Sequence, residues 1–186
     1  MNKIILASKS PRRKQLLELA EIPFDVVAAD TDEHFPNDLP IAEIPVFIAK
    51  EKAFAVAKNY PNNIILAADT IVAIDNEVIG KPKDRNDAIR ILQKLSGKMH
   101  RVITGVVIVS KDKEEFFHDV TEVSFHPLSD EQITFYIDKY QPYDKAGAYA
   151  IQEWIGAVGI KKINGDFYNV MGLPVSRVVQ ALQHFA

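Results

Sequence analysis

Short apolar runs separated by polar turns make up the first half of the chain. The first run, Lys3-Ile4-Ile5-Leu6-Ala7, predicts a buried strand, and Pro11 followed by Leu16 and Leu17 predicts the first turns of a helix. Ser10 stands where an N-cap residue belongs, and Pro11 stands where the first helical residue belongs. The next predicted elements are, in order, a strand at Phe24–Ala29, a helix from Pro45 to about Asn59, strands at Ile64–Ala68, Ile71–Ile74 and Val78–Ile79, and a helix from about Asn86 to Leu95 closed by Gly97.

The second half of the chain is richer in strands. Its predicted elements are an antiparallel hairpin of strands near His100–Ser110 and Glu115–His126, a helix from the capping box of Ser129 and Gln132 to Tyr140, a strand at Ala157–Ile163, and a terminal helix after Pro174. Because helices and strands alternate first and strands cluster later, we predict an α/β fold with some α+β character, built on a sheet of mixed direction.

The length and composition of the chain are typical of a globular protein and argue against several other classes. At 186 residues the chain is one domain or two small lobes around a shared cleft, and 47% apolar with 25% charged residues matches an ordinary globular protein. The net charge of -3 argues against a nucleic-acid partner, and the lack of cysteine excludes disulfides and thiolate metal sites. The first apolar run is too short for a signal peptide or a membrane span, so we expect a cytoplasmic protein without a membrane partner.

The start of the first helix is the strongest candidate for ligand binding. A helix N-terminus carries unpaired N–H groups and a partial positive charge, and therefore favours a phosphate. Arg12 and Arg13 in the first turn oppose that dipole unless an anion neutralises them. This pattern predicts a nucleotide or another polyphosphate as ligand, and the alternative is a charged first turn on an exposed helix.

Two further motifs carry candidate chemistry. Asp69-Thr70 is predicted at the end of a fully apolar strand, where a carboxylate can hold a metal ion or activate water, although both residue types also cap turns. Gly80-Lys81-Pro82 predicts a short loop whose lysine meets a phosphate as a point charge, and the alternative is a solvated loop lysine.

Three single residues complete the candidates drawn from the pattern. Lys52 on a helix and Glu33 in an acidic loop each have the alternative of a solvated surface residue. Gln152 stands in a mostly small and apolar segment, so it either reads the edge of a base or, if buried, bridges two backbone segments. The five histidines are scattered, which argues against a histidine-based metal site.

Taken together, the motifs resemble a known family. They are Ser8-Lys9-Ser10-Pro11-Arg12-Arg13, Ala68-Asp69-Thr70, Gly80-Lys81-Pro82, Thr104-Gly105-Val106 and Asn169-Val170-Met171-Gly172-Leu173-Pro174. In this order they resemble the Maf family of nucleoside triphosphate pyrophosphatases along essentially the whole chain. The resemblance implies a Maf/Ham1 (ITPase-like) fold, with residues 1–186 as one elongated domain whose two lobes flank a nucleotide-binding cleft. It also implies a divalent cation, Mg²⁺ or Mn²⁺, and a homodimer.

The resemblance also implies roles for single residues. Asp69 takes the position of the proton acceptor, and the positions linked to base choice are Arg12, Thr70 and Gln152. Further residues that match cleft positions are Ser8, Glu33, Lys52 and Lys81. The segment around Gln152 is similar to the subgroup that acts on dTTP and UTP, but Glu153-Trp154 follow where the family has a small residue such as glycine.

These roles agree with the chemistry of cleaving a triphosphate between its α- and β-phosphates, which is mostly positioning and electrostatics. Asp69 and Glu33 would hold the metal and orient the attacking water, while Lys52, Lys81 and Arg13 balance the phosphate charge. The turn from Ser8 to Ser10 would donate hydrogen bonds to the phosphates. Two alternatives stay open at this stage, a nucleotide-binding regulatory protein of cell division and the same reaction on 7-methyl-GTP.

Overall fold

A computed structural model of the protein describes residues 3–29, 31 and 34–185. The strands are β1 (Ile4–Leu6), β2 (Phe24–Val26), β3 (Ile64–Ile74), β4 (Glu77–Ile79), β5 (Met99–Val109), β6 (Glu114–Phe125) and β7 (Ile160–Asn164). The helices are α1 (Pro11–Leu19), α2 (Ile44–Ala57), α3 (Arg85–Leu95), α4 (Asp130–Tyr140), α5 (Trp154–Gly159), α6 (Phe167–Met171) and α7 (Val175–Gln183), with 3-10 turns at Ile41–Glu43 and Ala146–Ala148. No helix of the described ranges combines the length and the apolar character that crossing a membrane requires.

The strands form one mixed sheet, as the alternation of elements predicts. The order is β2-β1-β3-β5-β6-β7, and β4 pairs with β3 beside this path. β1 lies parallel to both β2 and β3, whereas β4 is antiparallel to β3 and β7 is antiparallel to β6. β5 and β6 are neighbours joined by a tight turn, in which the Ser110 N–H donates to the Lys113 carbonyl at 2.8 Å. The predicted hairpin is therefore confirmed.

The predicted break in the third strand is wrong. Asp69-Thr70 does not end a strand, because β3 is continuous from Ile64 to Ile74 and is buried along its whole length apart from a half-buried Thr70. Its pairing partners explain how a polar pair sits inside such a strand. β1 pairs with β3 only as far as Leu66, and β4 pairs with it only from Val72 onward. Asp69 and Thr70 lie between these two pairings, where the strand edge is available to side chains from other elements.

Other element boundaries differ in smaller ways. β2 ends at Val26 rather than Ala29, and the strand predicted from Ala157 begins only at Ile160, because the short helix α5 precedes it. Local bonds explain that helix: the N–H groups of Gly156 and Ala157 both donate to the Glu153 carbonyl. The predicted caps are confirmed, since Ser10 is the N-cap of α1 before Pro11, and Ser129 and Gln132 form a capping box at α4.

The chain divides into two compact units, each with a hydrophobic core. The first unit is Met1–Thr70, Thr104–Asp119 and Gly172–Ala186, and the second is Ile71–Ile103 and Val120–Met171. In the first unit, one face of α2 packs on β1, β3 and β5 through buried residues such as Ala49, Ile65 and Val107. In the second unit, residues of α3 and α4 such as Leu92 and Ile133 pack in one cluster with residues from the strands. The nucleotide-binding cleft of the single domain stays a prediction.

Candidate active site

The turn between β1 and α1 is organised by a serine hydroxyl. β1 ends at Leu6, and the buried Ser8 follows two residues later. Its Oγ accepts the N–H of Ser10 at 3.2 Å and lies 3.3 Å from Nη1 of Arg13. The chain therefore leaves the sheet in a turn held by Ser8 and enters α1 at Pro11, with Ser10 in the N-cap position but without a capping bond from its own side chain.

Arg13 crosses from α1 to two other parts of the first unit. Its Nε donates to the Gly172 carbonyl at 2.7 Å, and its Nη2 donates to Thr70 Oγ1 at 2.9 Å. The residue is only 8% exposed, and these acceptors, together with Ser8 Oγ, are neutral oxygens. A guanidinium held in this way joins the Ser8 turn, the middle of β3 and the segment before α7 into one network.

Thr70 and Thr104 complete this network across β3 and β5. Their Oγ1 atoms lie 2.9 Å apart, and Thr70 Oγ1 is 3.4 Å from the Gly172 carbonyl. A hydroxyl has one donor and two acceptor positions. Thr70 fills all three if it accepts from Arg13 and Thr104 and donates to Gly172. The Thr70 hydroxyl is therefore engaged by protein groups at Arg13, Thr104 and Gly172.

Lys52 and Asp69 form an ion pair next to this network. Lys52 Nζ lies 2.7 Å from Asp69 Oδ1, and each side chain is only 12% exposed. Shielding from solvent strengthens the attraction, and the bond is charge-assisted. An ionised carboxylate can accept bonds at both oxygens, so the bond at Oδ1 leaves capacity for a water proton or a cation at Oδ2.

A glycine sets the distance between α2, which carries Lys52, and the sheet. A Cβ at Gly105 of β5 would lie 2.2 Å from the backbone nitrogen of Val46 and 2.3 Å from the carbonyl carbon of Pro45. Real Cβ atoms do not approach backbone so closely, so only glycine lets the first turn of α2 rest on β5. Thr104 thus bonds to Thr70, and Gly105 allows the close approach of α2. Neither role was predicted, and the sequence signal for them was the place of the pair in the family motif.

The remaining predicted residues fall in different places. Arg12 is half-buried in the first turn of α1, next to Arg13. Lys81 and Gln152 belong to the second unit, where both side chains are exposed. The alternative that Gln152 is a buried bridge between backbone segments is therefore wrong. Glu33 lies outside the described residues.

Within the described residues, Asp69 is the site residue whose chemistry suits a metal ion. Among residues 3–29, 31 and 34–185, no three His, Asp or Glu side chains are grouped so that they could hold a metal ion. Asp69 is the carboxylate of the site in the first unit. One carboxylate fits Mg²⁺, which proteins commonly bind through one or two carboxylates together with substrate phosphates and water.

Comparison with known proteins identifies the family. The family model described as Maf-like protein matches residues 3–185. The chain belongs to the Maf-like family. Proteins named "dTTP/UTP pyrophosphatase" are 54% identical to it in Cytophaga hutchinsonii, 50% in Parabacteroides distasonis and 48% in Bacillus velezensis. These matches cover 97%, 98% and 98% of this chain and 83%, 96% and 96% of the three relatives.

Solved structures give the fold. The HAM1 protein of Coxiella burnetii matches with a TM-score of 0.53 at 14% identity, over 99% of this chain and 100% of that one. The Ham1 protein of Staphylococcus aureus matches with the same TM-score and identity over 98% of both chains. At this identity the likeness concerns the fold alone, and it confirms the predicted mixed α/β fold of the Maf/Ham1 type.

Proposed function

We propose that this Maf-like protein is a nucleoside triphosphate pyrophosphatase that hydrolyses dTTP and UTP to the monophosphate and pyrophosphate. Near-full-length similarity to proteins named dTTP/UTP pyrophosphatase supports the reaction. The observation that carries the proposal is the shielded Lys52–Asp69 pair, directly followed along β3 by Thr70, which contacts Arg13 in the first turn of α1. A carboxylate and an anion-binding helix start are thereby joined in one unit.

In the reaction, a water molecule attacks the α-phosphorus while the bond to the pyrophosphate leaving group breaks. Asp69 orients this water and accepts its proton, and Lys52 holds the carboxylate in place through the bond at Oδ1. The Ser8–Ser10 turn donates hydrogen bonds from its hydroxyl and N–H groups to phosphate oxygens. These groups are positioned before the substrate arrives, which is the main source of catalysis in phosphoryl transfer.

A divalent cation, Mg²⁺ or Mn²⁺, completes the proposed site, held by Asp69 and Glu33. When present, such a cation would supply positive charge that offsets the negative charge developing on the leaving group. The chain supplies further positive charge for the triphosphate through Arg13, Lys52 and Lys81. The Arg13 guanidinium also donates hydrogen bonds to Thr70 and Gly172. Its positive charge therefore attracts the phosphates at longer range as well as by direct contact.

Base choice is assigned to Arg12, Thr70 and Gln152. Thymine and uracil present an N3–H donor between the O2 and O4 acceptors, and the Gln152 amide accepts from N3–H while it donates to O4. Cytosine has no N3–H and carries an amine in place of O4, so the same amide orientation leaves groups unpaired. Each unpaired buried group costs about 1–3 kcal/mol. Arg12 can only donate, which suits O2 or O4, and Thr70 acts through its contact with Arg13.

A panel of substrates tests the proposal. Purified protein with Mg²⁺ is offered dTTP, UTP, CTP, GTP and 7-methyl-GTP, and pyrophosphate release is followed. We expect release from dTTP and UTP, lost in Asp69→Asn and retained in the control Asp75→Asn, which alters an exposed carboxylate in a turn. Turnover confined to 7-methyl-GTP would overturn the base assignment.

The second candidate function is a nucleotide-binding regulator of cell division. The Lys52–Asp69 pair disfavours it, because a carboxylate beside phosphates weakens binding by like charge unless a cation is present. Tight nucleotide binding without turnover of any substrate would favour this regulator over the enzyme. The homodimer and the cytoplasmic location stay predictions, and light scattering of the purified protein tests the first of them.

A further inference from the structure

The segment that carries Gln152 is a tight turn with one outward side chain. The Glu153 N–H donates to the Ala150 carbonyl at 3.1 Å, which makes Ile151 and Gln152 the two central residues of a β-turn. Ala150 and Ile151 are each 5% exposed, whereas the Gln152 side chain is exposed. The turn therefore anchors its first half in the core of the second unit and leaves the Gln152 side chain exposed.

One hydroxyl holds both ends of this turn. Tyr136 of α4 is fully buried, and its Oη accepts the N–H of Ala150 at 3.1 Å. The same Oη donates its proton to Oε2 of Glu153. The direction of this bond is fixed, because an ionised carboxylate only accepts hydrogen bonds. Burial, and then the bond to Glu153, raise the pKa of Tyr136 above its ordinary value, so the donor proton stays on the oxygen.

Two further contacts restrict the turn. Lys145 Nζ lies 3.7 Å from Oε1 of Glu153, with the two side chains 11% and 22% exposed. At Gly156 of α5, a Cβ would stand 1.7 Å from the Ile151 carbonyl oxygen, so the backbone of the helix lies directly against the turn. Glu153 is thus the residue that accepts the Tyr136 proton and completes the hydrogen bonds of the turn. The family resemblance leads one to expect a small residue at this place.

We propose that Tyr136 is a positioning residue for base selection, and that its hydroxyl, bonded to Ala150 and Glu153, fixes the direction in which Gln152 meets the base. The inference rests on the proposed function, since it assigns Gln152 the reading of a pyrimidine. An amide side chain discriminates uracil from cytosine only if its carbonyl and NH₂ are held in one orientation relative to the base. The Gln152 side chain is exposed, so its amide reaches the base from the backbone position that the Tyr136 hydroxyl fixes.

The test is Tyr136→Phe, which removes one oxygen and keeps the ring. We expect the preference for UTP over CTP, measured as the ratio of kcat/KM values, to fall about tenfold, because a displaced Gln152 amide loses about one hydrogen bond to the base. The loss appears in KM for UTP, with kcat nearly unchanged, because Asp69 and Lys52, which act on the attacking water, belong to the first unit. The matched control is Tyr140→Phe on the same helix, whose ring stacks on Tyr136 at 5.0 Å and whose variant keeps the preference.

Variants of Glu153 distinguish positioning from general damage. Glu153→Gln retains an oxygen that accepts from Tyr136, so it keeps the preference for UTP, whereas Glu153→Ala loses it as Tyr136→Phe does. If Tyr136→Phe fails to fold, this pair of Glu153 variants decides the question. In a Gln152→Ala background, Tyr136→Phe should cause no further loss of preference, because it acts through Gln152.

The failures of the two proposals are distinguishable. A wild-type protein that releases no pyrophosphate from dTTP or UTP refutes the proposed function. A wild type that prefers UTP, loses that preference in Gln152→Ala and keeps it in a folded Tyr136→Phe overturns the role of Tyr136 alone. Equal loss of preference in Tyr140→Phe also overturns it, because the effect would then be general to α4.

Discussion

Replacing Arg13 with lysine separates the geometry of this side chain from its charge. A lysine keeps the positive charge that would face the phosphates, but its single ammonium cannot reach acceptors on three different segments. In the protein, Nε and Nη2 donate to Gly172 and Thr70 at 2.7 and 2.9 Å, and the contact with Ser8 is longer, at 3.3 Å. Arg13→Lys therefore loses at least one of the two short bonds.

The expected magnitude follows from these bonds. A hydrogen bond from a charged donor contributes about 1.5–3 kcal/mol, so the loss of one short bond at this buried site lowers the free energy of unfolding by about 1.5–3 kcal/mol. For a chain of 186 residues, each kcal/mol lowers Tm by about 2–4 °C. Arg13→Lys should therefore melt roughly 3–12 °C below the wild type.

Thermal and denaturant unfolding measure this loss, and steady-state kinetics measure its effect on the site. The control is Arg90→Lys, because the Arg90 side chain is 80% exposed, and its stability should change by less than about 0.5 kcal/mol. In Arg13→Lys, kcat/KM falls even at temperatures where the variant is fully folded, since the Ser8 turn and Thr70 are no longer joined. An Arg13→Lys protein with wild-type Tm and a raised KM alone would refute the network and favour Arg13 as a simple phosphate ligand.

Two further predictions concern stability. Gly105→Ala should lower the free energy of unfolding, measured by urea titration, by about 3 kcal/mol or more, because its Cβ would lie 2.2 Å from the Val46 backbone nitrogen. The control is Gly80→Ala, which should unfold like the wild type because none of the described atoms lies within 4 Å of the added Cβ. Burial lowers the pKa of His100 to about 4, so between that pH and 6.5 the unfolded chain binds the extra proton and stability falls on acidification. From pH 7 to pH 5 this loss is about 2 kcal/mol. It should vanish in His100→Gln and persist in the exposed control His126→Gln; equal pH dependence in all three proteins would contradict it.

Much of the architecture could be predicted from local sequence patterns. Three features each depend on residues close together in the chain, and all are as predicted. They are the N-cap and first-turn proline of α1, the capping box of α4 and the polar turn between β5 and β6. Mixed sheet direction followed from the alternation of elements, and it is confirmed by the parallel and antiparallel pairings. Such features are determined within a few residues, so a single sequence is enough to specify them.

The continuous β3 was not predictable in this way. Asp69-Thr70 interrupts an apolar run, and a polar pair normally marks a strand end. Here Lys52 from α2 and Arg13 from α1 supply partners for the two side chains, so the strand continues through them at little cost. A similar limit applies to α5, where close contact between Gly156 and Ile151 decides the local conformation.

The sequence by itself determined the residue types of the candidate site, because the motifs for anion binding and acid–base chemistry are short and contiguous. Only the tertiary structure decided how those residues are used. It pairs Lys52 with Asp69 across α2 and β3, and it occupies the Thr70 hydroxyl through Arg13 and Thr104. These contacts join residues up to 57 positions apart, and their geometry depends on how helices pack on the sheet rather than on any local pattern.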